Sequence, residues 1–154
     1  MMSTIVVGVD GSEGSQRALR SALRLAGATN ATMRVVHACA RRPADIPEMY
    51  LADAREFEQD IEGARRRAEQ ILDEALEAVD AQSAGVPIER EVTCDEQPAD
   101  ALRRQARDTE AEMLVIGSRG LGGFSGLLLG SVSHQCVQHA PCPVLVVPPA
   151  DRTS

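Results

Sequence analysis

A doubly wound, Rossmann-like α/β domain built on a five-stranded parallel sheet is the fold this sequence predicts. Three observations carry the prediction. Short apolar runs alternate along the chain with longer stretches whose apolar residues recur at helical spacing, the pattern of strands joined by crossover helices. Runs such as Ile5-Val6-Val7 and Met113-Leu114-Val115-Ile116 are apolar at consecutive positions, as strands buried on both faces are. Gly-rich backbone stands where strand should pass into helix, at Gly117-Ser118-Arg119-Gly120 and again at Gly130-Ser131.

In chain order, Thr4 to Asp10 reads as the first strand. Ser12 is placed to cap a helix from Glu13 to about Ala28, along which Ala18, Leu19, Ala22, Leu23, Leu25 and Ala26 recur on one side. Met33 to Ala38 is a second strand, and Ala40 to Tyr50, with Pro43 and Pro47, a loop. Leu51 to about Ala81 forms a long amphipathic helix with Phe57, Ile61, Ala64, Ala68, Ile71, Leu72, Ala75 and Val79 as its buried stripe. Val86 to Cys94 is a third strand, and the charges of Glu89, Arg90 and Glu91 suit a sheet edge. Pro98 to Asp108 is a helix with proline in its first turn. Met113 to Ile116, Ser131 to His139 and Val144 to Val147 complete the alternation as strand, helix and strand.

At 154 residues, with no linker composition and no repeat period, one domain is expected. A net charge of −7 argues against general nucleic-acid binding, which needs a positive footprint; Arg65-Arg66-Arg67 lies among carboxylates and reads as a solvated helix face. No stretch has the pattern of a secretory leader and no apolar run reaches the ~18 residues of a membrane span, so a cytoplasmic location without membrane attachment is expected. The 4 cysteines lack paired CxxC spacing, and no disulfide framework is expected in a reducing compartment.

The segment from Gly117 to Ser133 carries the chemistry. Glycines between a strand and a helix let main-chain N–H groups approach a phosphate closely, and the helix N-terminus adds unpaired donors and the positive end of a dipole. Ser131 and Ser133 add hydroxyl donors at the same place. This is not a Walker A loop: Gly126 to Gly130 followed by Ser131 has nearly the right spacing but no lysine, and all 16 basic residues of the chain are arginine. Gly120-Leu121-Gly122-Gly123 also breaks the dinucleotide fingerprint and lies too late in the chain for it.

Gly117-x2-Gly120-x9-Gly130-Ser131 resembles the signature of the nucleotide-binding universal stress proteins. The resemblance extends through Ile5-Val6-Val7-Gly8-Val9-Asp10-Gly11-Ser12, Val35-Val36-His37-Ala38, Pro98-Ala99-Asp100-Ala101-Leu102 and Ala140-Pro141-Cys142-Pro143-Val144-Leu145-Val146-Val147. It implies the sheet order 3-2-1-4-5, with the switch of strand order between strands 1 and 4. Ligands in open sheets bind beyond the carboxyl ends of strands at such a switch, where Asp10, Ala38 and Gly117 stand. Two positions depart from the family pattern: Glu96 where glycine is common and Glu112 where aspartate is usual.

The resemblance further implies ATP or another adenine nucleotide as ligand, with Mg2+ carried on its phosphates. The backbone at Gly117, Arg119 and Gly120, and at Gly130, Ser131, Val132 and Ser133, would hold phosphates and ribose, with Arg119 adding charge. Ala38 would present main chain to the adenine edge. Asp10 is either a ribose or adenine acceptor or a turn carboxylate serving the next helix, and both roles are compatible. No catalytic set is identified, and at most slow hydrolysis is expected. The expected role is to sense or report adenine nucleotide in stress signalling; a non-nucleotide scaffold of the same fold and a fragment of an adenylate-forming enzyme are the alternatives. In the implied topology Val144 to Val147 is an apolar edge bracketed by Pro143 and Pro148-Pro149, so antiparallel pairing with a second copy into a homodimer is expected.

His134, Cys136, His139 and Cys142 invite a zinc reading. Helical geometry opposes it, because residues 134 and 136 point to roughly opposite faces. Cys136 is read instead as a buried thiol, Cys39 and Cys94 as structural, and His37 as a packed or edge histidine.

Overall fold

The structure, a computed structural model, describes residues 2–39, 54–120 and 128–150, and in the long second helix side chains from residue 61 onward. Its elements are β1 (Thr4–Gly8), α1 (Glu13–Thr29), β2 (Thr32–Ala38), α2 (Ala54–Ala78), a 3-10 turn (Ala81–Ala84), β3 (Ile88–Thr93), α3 (Pro98–Asp108), β4 (Met113–Gly117), α4 (Ser131–His139) and β5 (Val144–Val147). The strands lie in the order β3-β2-β1-β4-β5, and each adjacent pair is parallel. The loop expected over Ala40 to Tyr50 lies outside the described residues, as does most of the segment between Gly120 and Gly130.

Strands buried on both faces must point alternate residues into two cores, and they do. Ile5, Val7 and Val9 pack with Leu19, Ala22 and Leu72 under α1 and α2. Val6 faces the other way and packs with Leu102, Ala106, Leu114 and Cys136 under α3 and α4. The stripe expected on α2 is buried at Ala68, Leu72 and Ala75, but Ile61 is 44% exposed. Ala64 is already level with Cys39, just past the end of β2, its carbonyl 3.7 Å from the sulfur, so Ile61, nearly one turn earlier, overhangs the sheet. Phe57 falls outside the described side chains.

The charged edge strand is β3, as its sequence suggested. Arg34 of β2 reaches Glu89 and Glu91 at 3.7 Å, and Arg90 pairs with Asp73 of α2. The opposite edge is β5. Leu114 N–H donates to the Pro143 carbonyl and Ser118 N–H to the Val147 carbonyl, at 3.0 Å each. In a parallel ladder the N–H and C=O of one residue face the same side, so those of Leu145 and Val147 face β4 while those of Val144 and Val146 face outward.

One expectation fails. Cys39 and Cys94 are bonded as a disulfide, with Cα atoms 4.7 Å apart. The reason is register: Ala38 pairs with Thr93, so the next residue of each strand stands opposite the other. Absence of a local CxxC motif says nothing about cysteines 55 residues apart that neighbouring strands bring together. Cys136 and Cys142 are free, and Cys136 is fully buried as expected. His37 is a packed histidine: its Nδ1 lies 2.6 Å from the Val9 carbonyl oxygen, a geometry in which Nδ1–H donates.

Candidate functional site

Beyond the carboxyl ends of β1, β2 and β4 lies a cavity of about 460 Å3, in the size range of small-molecule sites. Its first wall is the turn after β1. Asp10 Oδ1 accepts the Ser12 N–H at 2.9 Å and the Ser12 hydroxyl at 2.5 Å. Gly11 turns the chain with φ +85°, where a Cβ would be strained. Ser12 then caps α1, its Oγ accepting the Ser15 N–H at 3.2 Å, while Ser15 Oγ donates to the Ser12 carbonyl at 3.0 Å. Asp10 therefore serves the helix start, one of the two roles open to it from sequence. Its second oxygen, Oδ2, lies only 2.5 Å from where a Cβ on Gly120 would sit. Gly120 is what brings the second loop against Asp10.

That second loop, after β4, is pinned from both sides. A Cβ on Gly117 would stand 2.9 Å from the carbonyl carbon and oxygen of Gly14, and one on Gly14 would stand 2.8 Å from the Arg119 carbonyl oxygen. The N-terminus of α1 and the loop thus meet backbone to backbone. On the other side the Ser118 carbonyl accepts the Gly130 N–H at 2.6 Å and the Ser133 hydroxyl at 2.7 Å. Ser133 was expected to offer its hydroxyl to a ligand; the structure commits that donor to closing the loop.

The third wall is the start of α4. Its N-cap is Gly130, with φ −73° and ψ 174° and no side-chain cap. The first-turn N–H groups of Ser131, Val132 and Ser133 have no acceptor within the helix and, among the described residues, no capping side chain at Gly130, and they sit at the positive end of the helix dipole. All nine residues picked from sequence, Asp10, Ala38, Gly117, Arg119, Gly120, Gly130, Ser131, Val132 and Ser133, line this one cavity.

The remaining lining is mostly apolar, and sequence reading missed it. Val9 and Val36, only 4% and 1% exposed and part of the core, also form cavity wall. Pro98, Leu102 and Ile116 complete that side. Pro98 and Leu102 are four apart on α3, one helical face, a signal that the α3 pattern carried. Arg104 fixes this corner: its Nε lies 2.8 and 3.0 Å from the two Glu96 carboxylate oxygens, just before Pro98. The same hydrogen bonding to Glu96 raises the Arg104 pKa. Glu96, a departure from the family pattern, thus anchors the start of α3. The result is a cleft with backbone donors at one end and hydrocarbon at the other.

Residues 1–148 match the Universal stress protein family. The chain belongs to the universal stress protein family. The universal stress protein in the QAH/OAS sulfhydrylase 3' region of Thermus aquaticus is 36% identical over 147 residues, covering 96% of this chain and 99% of the relative. Universal stress protein UspA from Lactobacillus plantarum superposes with a TM-score of 0.78 at 20% identity, covering 94% of this chain and 97% of its own, a likeness of fold. A universal stress protein solved in complex with cAMP is 33% identical, with a TM-score of 0.64 and coverage of 94% of this chain and 95% of its own.

Proposed function

We propose that the cavity binds ATP and that the chain works as a dimeric, cytoplasmic sensor or reporter of adenine nucleotide. The observation that carries this reading is the division of one cleft into two chemistries. The uncapped start of α4 and the loop from Gly117 to Gly120 offer backbone donors to anions, beside walls of Val9, Val36, Leu102 and Ile116 that suit a flat base. The 33% identical relative in complex with cAMP supports an adenine ligand of this kind. The start of α4, whose N-cap Gly130 carries no side chain to take the first-turn N–H groups, fits close phosphate approach.

In this reading the phosphates lie against the N–H groups of Ser131, Val132 and Ser133, with Arg119 adding charge, and Ala38 presents main chain to the adenine edge. Asp10, oriented by Ser12, stands on the ribose side. Mg2+ would be carried on the phosphate oxygens, where it would offset part of their charge. Among the described residues no group of three or more His, Cys, Asp or Glu side chains forms a cage for it. The dimer forms by antiparallel pairing of the Val144–Val147 strand with that of a second copy, through the outward-facing N–H and C=O groups of Val144 and Val146.

A thermal-shift titration with Mg-ATP tests the nucleotide reading. Binding to the folded state alone adds RT ln(1 + [L]/Kd), about 2.7 kcal/mol at 100 Kd, and raises the melting temperature. No shift and no calorimetric signal at millimolar ATP would refute it. Mass analysis of nucleotide carried through purification identifies the physiological ligand.

A further inference from the structure

The β2–β3 ladder runs one bond past the two strands. Cys39 N–H donates to the Thr93 carbonyl at 2.7 Å, and the Cα atoms of Cys39 and Cys94 stand 4.7 Å apart, inside the span of about 4.4–6.8 Å that a disulfide requires. Both cysteines adjoin the cavity wall. Cys39 directly follows Ala38, and Cys94 begins the short segment leading to Pro98; Ala38 and Pro98 both line the cleft. The two residues differ in burial, Cys39 being buried and Cys94 half-buried. On reduction, the Cys39 thiol would find an acceptor in the Ala64 carbonyl oxygen, which lies 3.7 Å from its sulfur.

We propose that Cys39 and Cys94 form a reversible disulfide modification site whose redox state sets the affinity of the adjoining cleft for nucleotide. The pairing stands on the register alone; its effect on affinity rests on the nucleotide reading above. The oxidant is a low-molecular-weight disulfide. The accessible Cys94 thiolate attacks one of its sulfurs, forming a mixed disulfide and expelling one thiolate. The Cys39 thiolate then attacks Cys94 Sγ, closing the bond and expelling the second. The protein thiols lose two electrons and two protons, and the small disulfide becomes two thiols; excess small thiol reverses both steps. Such pairs in a reducing compartment are transient and redox-sensing rather than architectural. When oxidised, the ends of β2 and β3 are tied, so Ala38 and the approach to Pro98 are held as the ligand needs them. When reduced, binding must supply part of that order, and affinity falls.

The test uses the full chain, reduced with dithiothreitol and desalted, or oxidised with glutathione disulfide and desalted. Oxidation should remove two of the 4 thiols, and a non-reducing peptide map should join the Cys39 and Cys94 peptides. Mg-ATP titrated calorimetrically should bind the oxidised form roughly threefold or more tightly than the reduced form. Cys94→Ala and Cys39→Ser should each abolish the redox dependence, and if neither folds the wild-type comparison decides alone. A map joining Cys136 to Cys142, a lasting mixed disulfide on Cys94, or equal affinities in two states whose maps differ as expected would overturn the proposal. Absence of ATP binding in both states would overturn the nucleotide reading and the affinity effect together, while the map still decides the pairing by itself.

Discussion

Gly130→Asp should make the unliganded protein more stable and its nucleotide binding much weaker. Gly130 is the N-cap of α4, with φ −73° and ψ 174°, a conformation any residue adopts. A Cβ there would meet Arg119 Cα and the Ser118 carbonyl at 3.5 Å and Gly120 N at 3.8 Å, ordinary contacts all. The apparent need for glycine is therefore neither backbone strain nor collision within the chain. Aspartate is among the best N-caps, and its carboxylate would accept the first-turn N–H groups while its charge suits the helix dipole. A gain of about 0.3–1 kcal/mol is expected, or a rise in melting temperature of about 1–4 °C for a domain of this size. The same carboxylate takes the donors that the phosphates would use. Losing one or two charge-assisted hydrogen bonds, at ~1.5–3 kcal/mol each, weakens binding by on the order of tenfold to a thousandfold and more. Calorimetry with Mg-ATP, alongside urea melts of the free protein, measures both halves. Wild-type affinity in a folded Gly130→Asp protein would show that the start of α4 is not the anion seat. A free protein destabilised by more than about 1 kcal/mol would refute the capping geometry.

Gly117→Ala should do the reverse, lowering stability by about 1–3 kcal/mol because its Cβ would press on α1 backbone that cannot swing aside, an overpacking cost read as a lower urea midpoint. Val146→Pro removes an N–H that points away from β4, so each chain should keep its fold while the proposed dimer gives way in sedimentation to monomer or aggregate; an intact dimer would place the interface elsewhere. Burial pushes the Cys136 thiol up to about 11 from 9.0. Its folded pKa exceeds the unfolded one, so its contribution is fully present below pH 9 and is lost as pH rises from about 9 to 11, on the order of 2 kcal/mol. Anaerobic urea melts over that window should show the loss, and Cys136→Ala should flatten part of the slope, only part because burial raises Cys142 as well.

Sequence alone determined what depends on near neighbours in the chain. Doubly apolar runs marked β1, β4 and β5, and the charges at Glu89 to Glu91 marked the edge strand β3. Ser12 announced its cap because a hydroxyl reaches only two or three residues onward, which composition records. The glycine spacing drew Gly117, Gly120 and Gly130 to one place, but it could not say why each is glycine. Tertiary structure decided that, and differently for each: α1 backbone against Gly117, the Asp10 carboxylate against Gly120, and open first-turn donors beside Gly130. It also spent the Ser133 hydroxyl on the Ser118 carbonyl, made Val9 and Val36 both core and cavity wall, and bonded Cys39 to Cys94. These outcomes depend on register and on the approach of helices to strand ends, between residues tens of positions apart. A local pattern specifies which face is apolar; which atoms then meet across the sheet is settled only when the faces pack.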